Sequence, residues 1–329
     1  MSVLRSLGSS GVEVNALGFG AVPLGNLYAP LSEADAAATI AKAIDSGMRY
    51  FDTAPLYGMG LSERRLGLYL RGLPRDEYIL STKVGRHLRP MGRTDDNDVF
   101  VDLPPFVDTF DFSYDGVRRQ VDDSLQRLGT DRLDCLVIHD LGLWHMKTAE
   151  TVDHHFRTLA DGGLLALRDL RDSGIVRAIG AGANELTLCD RFLALGEIDF
   201  VLLALRYTLL DQSAAGLLED ARSKGVSIVV GAPFQSGILA TGITTEARFN
   251  YAHVPSEVIQ KVERLQALCL EHDVPLKAAA LQFPMQNQAV ASVLAGMGNP
   301  GEVSENLAMA RSEIPQDFWI ALKSGGYVT

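Results

Sequence analysis

The sequence predicts an α/β fold, a closed (β/α)8 TIM barrel preceded by an N-terminal β-hairpin. Short apolar runs alternate with segments of helical periodicity along nearly the whole chain, and this alternation predicts a parallel sheet. Eight strand–helix units follow one another, which favours a closed barrel over an open, doubly wound sheet. No linker, low-complexity run or composition break interrupts the chain, so we expect one domain at residues 1–329.

Local signals predict the individual elements. Gly8-Ser9-Ser10-Gly11 indicates the loop of the hairpin, between strands at residues 3–7 and 12–17. Ser32 with Asp35 three residues later forms a capping-box pattern, so we expect a helix to begin there. The barrel strands are predicted at residues 16–20, 48–52, 78–82, 133–138, 175–179, 198–203, 226–230 and 290–294. The helices are predicted at residues 32–47, 62–72, about 114–128, about 155–172, 185–195, 213–223, from 256 with a break at 275, and 301–310, with loops at 84–112 and 232–254.

Composition limits the possible partners. The 30 basic and 41 acidic residues give a formal charge of −11, which argues against nucleic acid or an anionic membrane surface as a partner. We find no signal-peptide pattern and no apolar run of membrane-spanning length. Cys135, Cys189 and Cys269 lie far apart and show no metal-type spacing. We therefore expect a cytoplasmic protein that acts on a small molecule, while the oligomeric state stays open.

Polar residues stand where three consecutive barrel strands are predicted to end. Asp52 ends the second strand, Lys83 follows the third and His139 follows the fourth, with Tyr57 in the loop after the second. Active sites of TIM barrels form at the C-terminal ends of the strands, and neighbouring strands have neighbouring ends. The four side chains are therefore predicted to converge on one site.

This set of residues suits proton transfer at an alcohol or carbonyl oxygen. Lys83 is expected to lower the pKa of the Tyr57 phenol from its ordinary value of about 10, and Asp52 to hold the ammonium group. Tyr57 then serves as general acid or base, while His139 binds and orients the substrate oxygen. Proton transfer of this kind is half of a hydride-transfer reaction, and the other half requires a cofactor.

Several segments together resemble the aldo-keto reductase family. They are Gly18-Phe19-Gly20, the stretch from Phe51 to Gly58, Ser62-Glu63, Thr82-Lys83, His139 and Asn184. The resemblance implies a (β/α)8 barrel that binds NAD(P) and uses a catalytic tetrad, here Asp52, Tyr57, Lys83 and His139. Residues 180–185 and 206–212 are similar to the branch that holds D-threo-aldose 1-dehydrogenases (L-fucose dehydrogenases) and pyridoxal 4-dehydrogenases.

The resemblance also implies a set of cofactor-binding residues. They are Gly20, Ala21, Asp52, Ala183, Asn184, Ala232, Phe234, Ser236, Gly237, Gly296, Gly298, Glu302, Glu305 and Asn306. Members of the family that use NADP commonly carry a lysine and an arginine around the 2′-phosphate, where this chain has Gly296 and Glu302. A carboxylate repels a phosphate but can accept a hydrogen bond from a ribose hydroxyl, so we expect NAD, with NADP the less favoured cofactor.

The expected function is NAD-dependent oxidation of a sugar hemiacetal to its lactone, with Tyr57, His139, Tyr28 and Trp144 contacting the substrate. Alternatives within the family are a pyridoxal 4-dehydrogenase or another aldehyde or ketone reductase. A metal-dependent barrel hydrolase and a non-catalytic nucleotide-sensing subunit are alternatives from other classes. The histidines at 139, 145, 154 and 155 fit no HxH or HExxH pattern, so we expect no metal. We expect His154 and His155 to flank the start of a helix.

Overall fold

The computed structural model describes residues 4–91, 99–244, 247–250 and 252–328, and within these ranges eight parallel strands close into a barrel. The strands are Leu17–Gly20, Tyr50–Asp52, Ile79–Val84, Cys135–His139, Ala178–Gly182, Phe200–Ala204, Ser227–Gly231 and Val290–Gly296. Each pairs with the next along the chain, and the eighth pairs with the first, so no edge is left open. The predicted TIM barrel is confirmed.

Helices connect the strands and cover the outside of the barrel. They are Glu33–Asp45, Leu61–Leu70, Tyr114–Leu128, Ala149–Thr158, Leu164–Asp172, Leu186–Leu195, Ala215–Ser223, Ser256–Glu271, Leu276–Met285, Pro300–Arg311 and Gln316–Ser324, with one-turn helices at Leu143–Met146 and Ile238–Thr241. Short 3₁₀ turns lie at Val22–Gly25 and Arg75–Glu77. The first helix begins as predicted, because the Ser32 side chain accepts a hydrogen bond from the Asp35 N–H.

The N-terminal hairpin closes one end of the barrel. Its strands, Leu4–Ser6 and Glu13–Asn15, pair antiparallel, as predicted in kind but shorter than expected. Leu7, Val12 and Val14 are fully buried and pack against side chains inside the barrel. Hydrogen bonds from the hairpin to the starts of the seventh and eighth strands show that it lies at their N-terminal end. The C-terminal end of the barrel therefore remains free for a site.

Two predicted loops contain regular structure. Residues 84–112 were expected to be irregular, but Arg86–Pro90 and Phe106–Phe110 pair as an antiparallel hairpin above the third strand. The sequence does not reveal this hairpin, because residues 91–105, rich in proline and aspartate, separate its two strands; residues 92–98 lie outside the described ranges. The loop predicted at 232–254 contains the helical turn Ile238–Thr241 and a two-residue ladder between Arg248–Phe249 and Ala252–His253.

Other boundaries also differ from prediction. The helix expected at 155–172 begins at Ala149, capped by Thr148, and passes through the π-helical segment Leu159–Gly163. His154 and His155 therefore lie inside a helix, and their predicted place at a helix start is wrong. The last helix, Gln316–Ser324, was not predicted.

We expect Gly67→Ala to destabilise the barrel by about 1–3 kcal/mol, because a Cβ at this position would stand 2.4 Å from the Leu128 carbonyl oxygen. Gly67 lies in the helix Leu61–Leu70 where that helix crosses the end of Tyr114–Leu128. Urea unfolding measures the change. Gly216→Ala is the control, since a Cβ there meets no atom within 4 Å and should leave stability equal or slightly higher. An equal response of both variants would contradict the packing argument.

Candidate active site

The ends of the second and third strands hold a buried ion pair. The Lys83 ammonium donates to Asp52 Oδ2 at 2.6 Å and to the Thr53 carbonyl at 2.8 Å. The Ser81 hydroxyl donates to the other Asp52 oxygen at 2.9 Å. Lys83 is only 1% exposed, so its charge is compensated almost entirely by these partners.

Tyr57 and His139 lie beside this pair. The Lys83 nitrogen is 4.8 Å from the centre of the Tyr57 ring. The His139 ring meets the Tyr57 ring edge-on, with centroids 6.0 Å apart and an interplanar angle of 86°. The structure thus brings together the four side chains that the sequence predicted to converge.

The loop that carries the tyrosine is fixed by close backbone contact and by a buried serine. Gly58 has a φ of +63°, and a Cβ there would stand 2.5 Å from the Gly25 carbonyl oxygen. The Ser62 hydroxyl donates to the Ala21 carbonyl at 2.8 Å and shares a hydrogen bond with the Thr53 hydroxyl. The loops after the first and second strands are therefore held together, which limits the movement of the tyrosine.

The electrostatics of Tyr57 differ from expectation. Burial raises the pKa of Tyr57 well above its ordinary value, and the charges of Asp52 and Asp140 raise it further, while Arg86 lowers it. We expected Lys83 to lower this pKa, but the net effect of the surrounding protein is to raise it. The physical reason is that the Lys83 charge is already balanced by Asp52, while removal of water disfavours the phenolate.

His139 is neutral at ordinary pH. Burial lowers its pKa from 6.5 to about 3; Asp140 opposes this fall, whereas Lys83, Arg86 and His145 add to it. A neutral imidazole can donate one hydrogen bond and accept another. His139 is therefore suited to binding an oxygen atom and unsuited to storing a proton near neutral pH.

A charged cluster that sequence reasoning missed lies next to the four residues. Arg86 donates to Asp140 Oδ2 at 3.0 Å and, through its other terminal nitrogen, to Asp108. The same Asp140 oxygen is 3.3 Å from Nε2 of His139 and 3.2 Å from Nε2 of His145. Arg86 and Asp108 fell in a predicted loop, and the only sequence signal was the polar run around residue 139, considered there as a possible metal pattern.

A cavity of about 480 Å³ opens above these groups. Its lining includes six of the predicted site residues: Tyr57, Lys83, His139, Trp144, Ala183 and Asn184. Arg86, Asp108, Asp140 and His145 form a polar wall, and Phe100 is part of the apolar surface. The volume lies in the range typical of small-molecule sites.

Other predicted site residues lie around this cavity or apart from it. Gly20 is paired with Gly296 on one side and with Asp52 on the other, so these three strand ends are adjacent. The Asn184 side-chain oxygen accepts from the Ala204 N–H at 3.2 Å. Tyr28 is not part of the cavity lining; the Arg248 guanidinium lies over its ring, 4.5 Å from the centroid.

The segment after the seventh strand turns through left-handed backbone conformations. Ala232, Ser236 and Gly237 have φ values of +51°, +60° and +104°. Phe234 packs against the core, and the Lys277 ammonium is 5.4 Å from the centre of its ring.

The last predicted segment forms the start of the helix Pro300–Arg311. Glu302 accepts hydrogen bonds from the Gly298 N–H at 2.7 Å and from the Asn299 side chain at 2.9 Å, so it has a structural role as a cap. Glu305 pairs with Lys277 at 2.5 Å. Asn306 is 1% exposed, and its side-chain oxygen has no hydrogen-bond partner among the described residues.

Across the described ranges, no group of three or more histidine, cysteine, aspartate or glutamate side chains is arranged to hold a metal ion. In the same part of the chain, every helix is too short or too polar to cross a bilayer.

The chain matches one protein family and is similar to two dehydrogenases along nearly its whole length. A model described as the Aldo/keto reductase family matches residues 16–324. A pyridoxal 4-dehydrogenase from Microbacterium luteolum is 41% identical, over 99% of this chain and 98% of the relative. A D-threo-aldose 1-dehydrogenase from Pseudomonas sp is 39% identical, over 95% of this chain and 94% of the relative.

A solved structure agrees with the sequence matches. The holo form of an aldo-keto reductase from Bacillus halodurans superposes with a TM-score of 0.76 at 25% identity, and the match covers 96% of this chain and 93% of that one. The family match spans the barrel, including all four residues of the site at its C-terminal end. The chain is therefore an oxidoreductase that belongs to the aldo/keto reductase family.

Proposed function

We propose that the chain is an NAD-dependent dehydrogenase that oxidises the hemiacetal carbon of a sugar of the L-fucose or D-threo-aldose type to the lactone. The observation that carries the proposal is the meeting of Tyr57 with the Lys83–Asp52 pair and His139 at the floor of a cavity. This set can bind an oxygen, hold it in place and exchange a proton with it.

The chain's own residues would act as follows. Tyr57 takes the proton of the hemiacetal hydroxyl as the hydride leaves the carbon, and His139, which is neutral, donates a hydrogen bond to the same oxygen. The Lys83–Asp52 pair lies beneath the tyrosine ring and helps to hold it in place, while Asp52 balances the ammonium charge. An oxidised nicotinamide, when bound, supplies the hydride acceptor and a positive charge that favours the phenolate.

Several observations support nicotinamide dinucleotide binding. The buried Asn306 oxygen lacks a partner among the described residues, and such an atom is costly to leave unsatisfied. Ala232, Ser236 and Gly237 adopt left-handed conformations, and turns of this kind can form an anion-binding concavity for a pyrophosphate. Gly20 and Gly296 are paired at adjacent strand ends, and Asn184 lines the cavity.

Charge near the helix Pro300–Arg311 favours NAD over NADP. Glu302 and Glu305 place two carboxylates in its first turns, and Lys277, a nearby cation, is paired with Glu305. A 2′-phosphate bearing two negative charges would be repelled by Glu302, whereas a ribose hydroxyl would not.

We expect Glu302→Gln to raise the ratio of NADP to NAD use roughly tenfold, equivalent to about 1.4 kcal/mol. Glutamine keeps an oxygen for the Gly298 N–H and removes only the charge. The ratio of kcat/KM values for the two cofactors measures the effect. Glu313→Gln, outside that helix, is the matched control. An unchanged ratio would mean that Glu302 does not face the 2′ position.

Pyridoxal is the second candidate substrate, because the pyridoxal 4-dehydrogenase is 41% identical along nearly the whole chain. An aldose and pyridoxal each carry a hydroxyl within reach of the aldehyde, so both can close to a cyclic hemiacetal. Formation of reduced nicotinamide, measured with L-fucose, D-arabinose, L-galactose and pyridoxal and with NAD and NADP in parallel, tests the proposal. Turnover of none of these compounds would refute it.

A further inference from the structure

Asp140 occupies an unusual position directly after the fourth strand. Its φ is +53°, a left-handed conformation that costs roughly 1–2 kcal/mol for a residue other than glycine, although aspartate tolerates it better than most. The turn is closed by its N–H donating to the Gly182 carbonyl and by its own carbonyl accepting from the Gly142 N–H. A strained conformation retained beside a reaction centre suggests a functional reason.

One oxygen of Asp140 is the meeting point of three separate elements. Arg86, in the strand Arg86–Pro90, lies 3.0 Å from it. His139, at the end of the fourth strand, lies at 3.3 Å, and His145, in the one-turn helix Leu143–Met146, lies at 3.2 Å. The carboxylate therefore contacts one residue of the predicted tetrad, His139, and two residues that the tetrad does not include.

Arg86 gives this oxygen a rigid anchor. The guanidinium carbon lies 4.7 Å from the centre of the Phe110 ring, and the second terminal nitrogen binds Asp108. The Arg86 side chain is only 6% exposed. An arginine fixed on both sides holds its partner carboxylate in a defined place.

The charge state of Asp140 fixes the proton on His139. Burial alone would raise the pKa of Asp140, but His139, His145 and Arg86 lower it below its ordinary value, so the group is ionised near neutral pH. An ionised carboxylate only accepts hydrogen bonds. Nε2 is the His139 ring atom in contact with Asp140, at 3.3 Å, so the negative charge favours the neutral tautomer that carries its proton on Nε2.

Resting on the proposed function, we propose that Asp140 is a positioning residue of this reaction. Its carboxylate, anchored by Arg86, favours the His139 tautomer with the proton on Nε2. His139 and Asp140 are in contact at 3.3 Å without a hydrogen bond, so this N–H stays available to a substrate oxygen. The same carboxylate places a fixed negative charge beside Tyr57. The charged and titratable groups beside Tyr57 or Asp140 are Asp52, Lys83, Arg86, Asp108, His139 and His145.

The test is the pH dependence of kcat for oxidation in Asp140→Asn. Oxidation requires ionised Tyr57, so kcat rises with pH along an acid limb. Loss of the negative charge should move this limb to lower pH by about one unit. The limiting kcat should fall roughly 10–100-fold, because an asparagine can also donate to His139 and so no longer selects its tautomer. A merely structural role would lower the rate without moving the limb.

Further variants make the test complete. Asp140→Gly adopts the left-handed conformation without strain, so it removes the carboxylate even if the asparagine variant fails to fold, and the same shift is expected. Asp140→Glu keeps the charge and should keep the limb near its wild-type position. Asp153→Asn removes an exposed carboxylate, paired with Arg191 at 2.8 Å, and should change nothing.

The outcomes separate the inference from the proposed function. Wild-type turnover with an acid limb that Asp140→Asn and Asp140→Gly leave in place would overturn the role of Asp140 alone. Absence of wild-type turnover with both sugars and pyridoxal would overturn the function and this inference together.

Discussion

Replacing Tyr57 by phenylalanine is expected to lower kcat roughly 10²–10⁴-fold while cofactor binding is retained. The change removes only the hydroxyl group, so the ring can keep its edge contact with His139 and its place over the Lys83 ammonium. Steady-state turnover with the best substrate measures the loss. Trp144 lines the same cavity, so quenching of protein fluorescence by reduced nicotinamide reports binding independently.

Tyr69→Phe is the matched control for this variant. Tyr69 lies in the helix Leu61–Leu70, packs against the core and does not line the cavity, so its replacement should leave kcat unchanged. A kcat of Tyr57→Phe close to that of the wild type would remove Tyr57 as the acid/base group. Loss of nucleotide binding in the same variant would instead indicate that the hydroxyl supports the cofactor site.

Much of the barrel could be predicted because its strands are short apolar runs separated by amphipathic helices. The fifth strand, Ala178–Gly182, is instructive, since the prediction at 175–179 was about three residues too early. Ile175 and Val176 attract a strand prediction, whereas the real strand is rich in glycine. A Cβ at Gly180 would stand 2.5 Å from the Phe200 ring, so the glycine makes room for that ring inside the barrel. Tertiary packing, not local propensity, selects this strand.

The site residues at the ends of the strands could be predicted from the sequence. The contacts between side chains from distant segments could not. Asp52, Lys83 and His139 could be predicted to converge because the topology of a barrel makes consecutive strand ends neighbours. Arg86 and Asp140 are 54 residues apart and belong to elements whose contact only the folded hairpin creates. Their effect on the pKa of Tyr57 therefore could not be inferred from spacing along the chain.

Under the proposed function, the protein and the cofactor act on the pKa of Tyr57 in opposite directions. The protein groups together keep the phenol protonated, because burial and the charges of Asp52 and Asp140 outweigh that of Arg86. A bound cation is then the remaining means of lowering the pKa. Under the proposed function, we therefore expect the base to form in the complex with the oxidised cofactor, which would link proton removal to the presence of the hydride acceptor.

Replacing Lys83 by methionine is expected to destabilise the protein by about 3–5 kcal/mol and to abolish most turnover. Methionine fills a similar volume but leaves the Asp52 carboxylate buried, with the Ser81 hydroxyl as its remaining side-chain donor among the described residues. Urea unfolding monitored by circular dichroism measures the change. Lys224→Met is the control, because Lys224 forms an exposed pair with Asp220 that should contribute at most about 1 kcal/mol.

A double variant distinguishes the lost pair from the buried charge that it leaves behind. Adding Asp52→Asn to Lys83→Met removes the uncompensated carboxylate, so part of the stability should return even though activity stays low. Recovery of stability without recovery of turnover would show that the ion pair serves the reaction and that the fold requires only its neutrality. If Lys83→Met alone unfolds at the wild-type urea concentration, the Lys83–Asp52 contact is not the compensated buried pair that its geometry indicates. The proposed part of this pair in holding the Tyr57 ring in place would then be wrong as well.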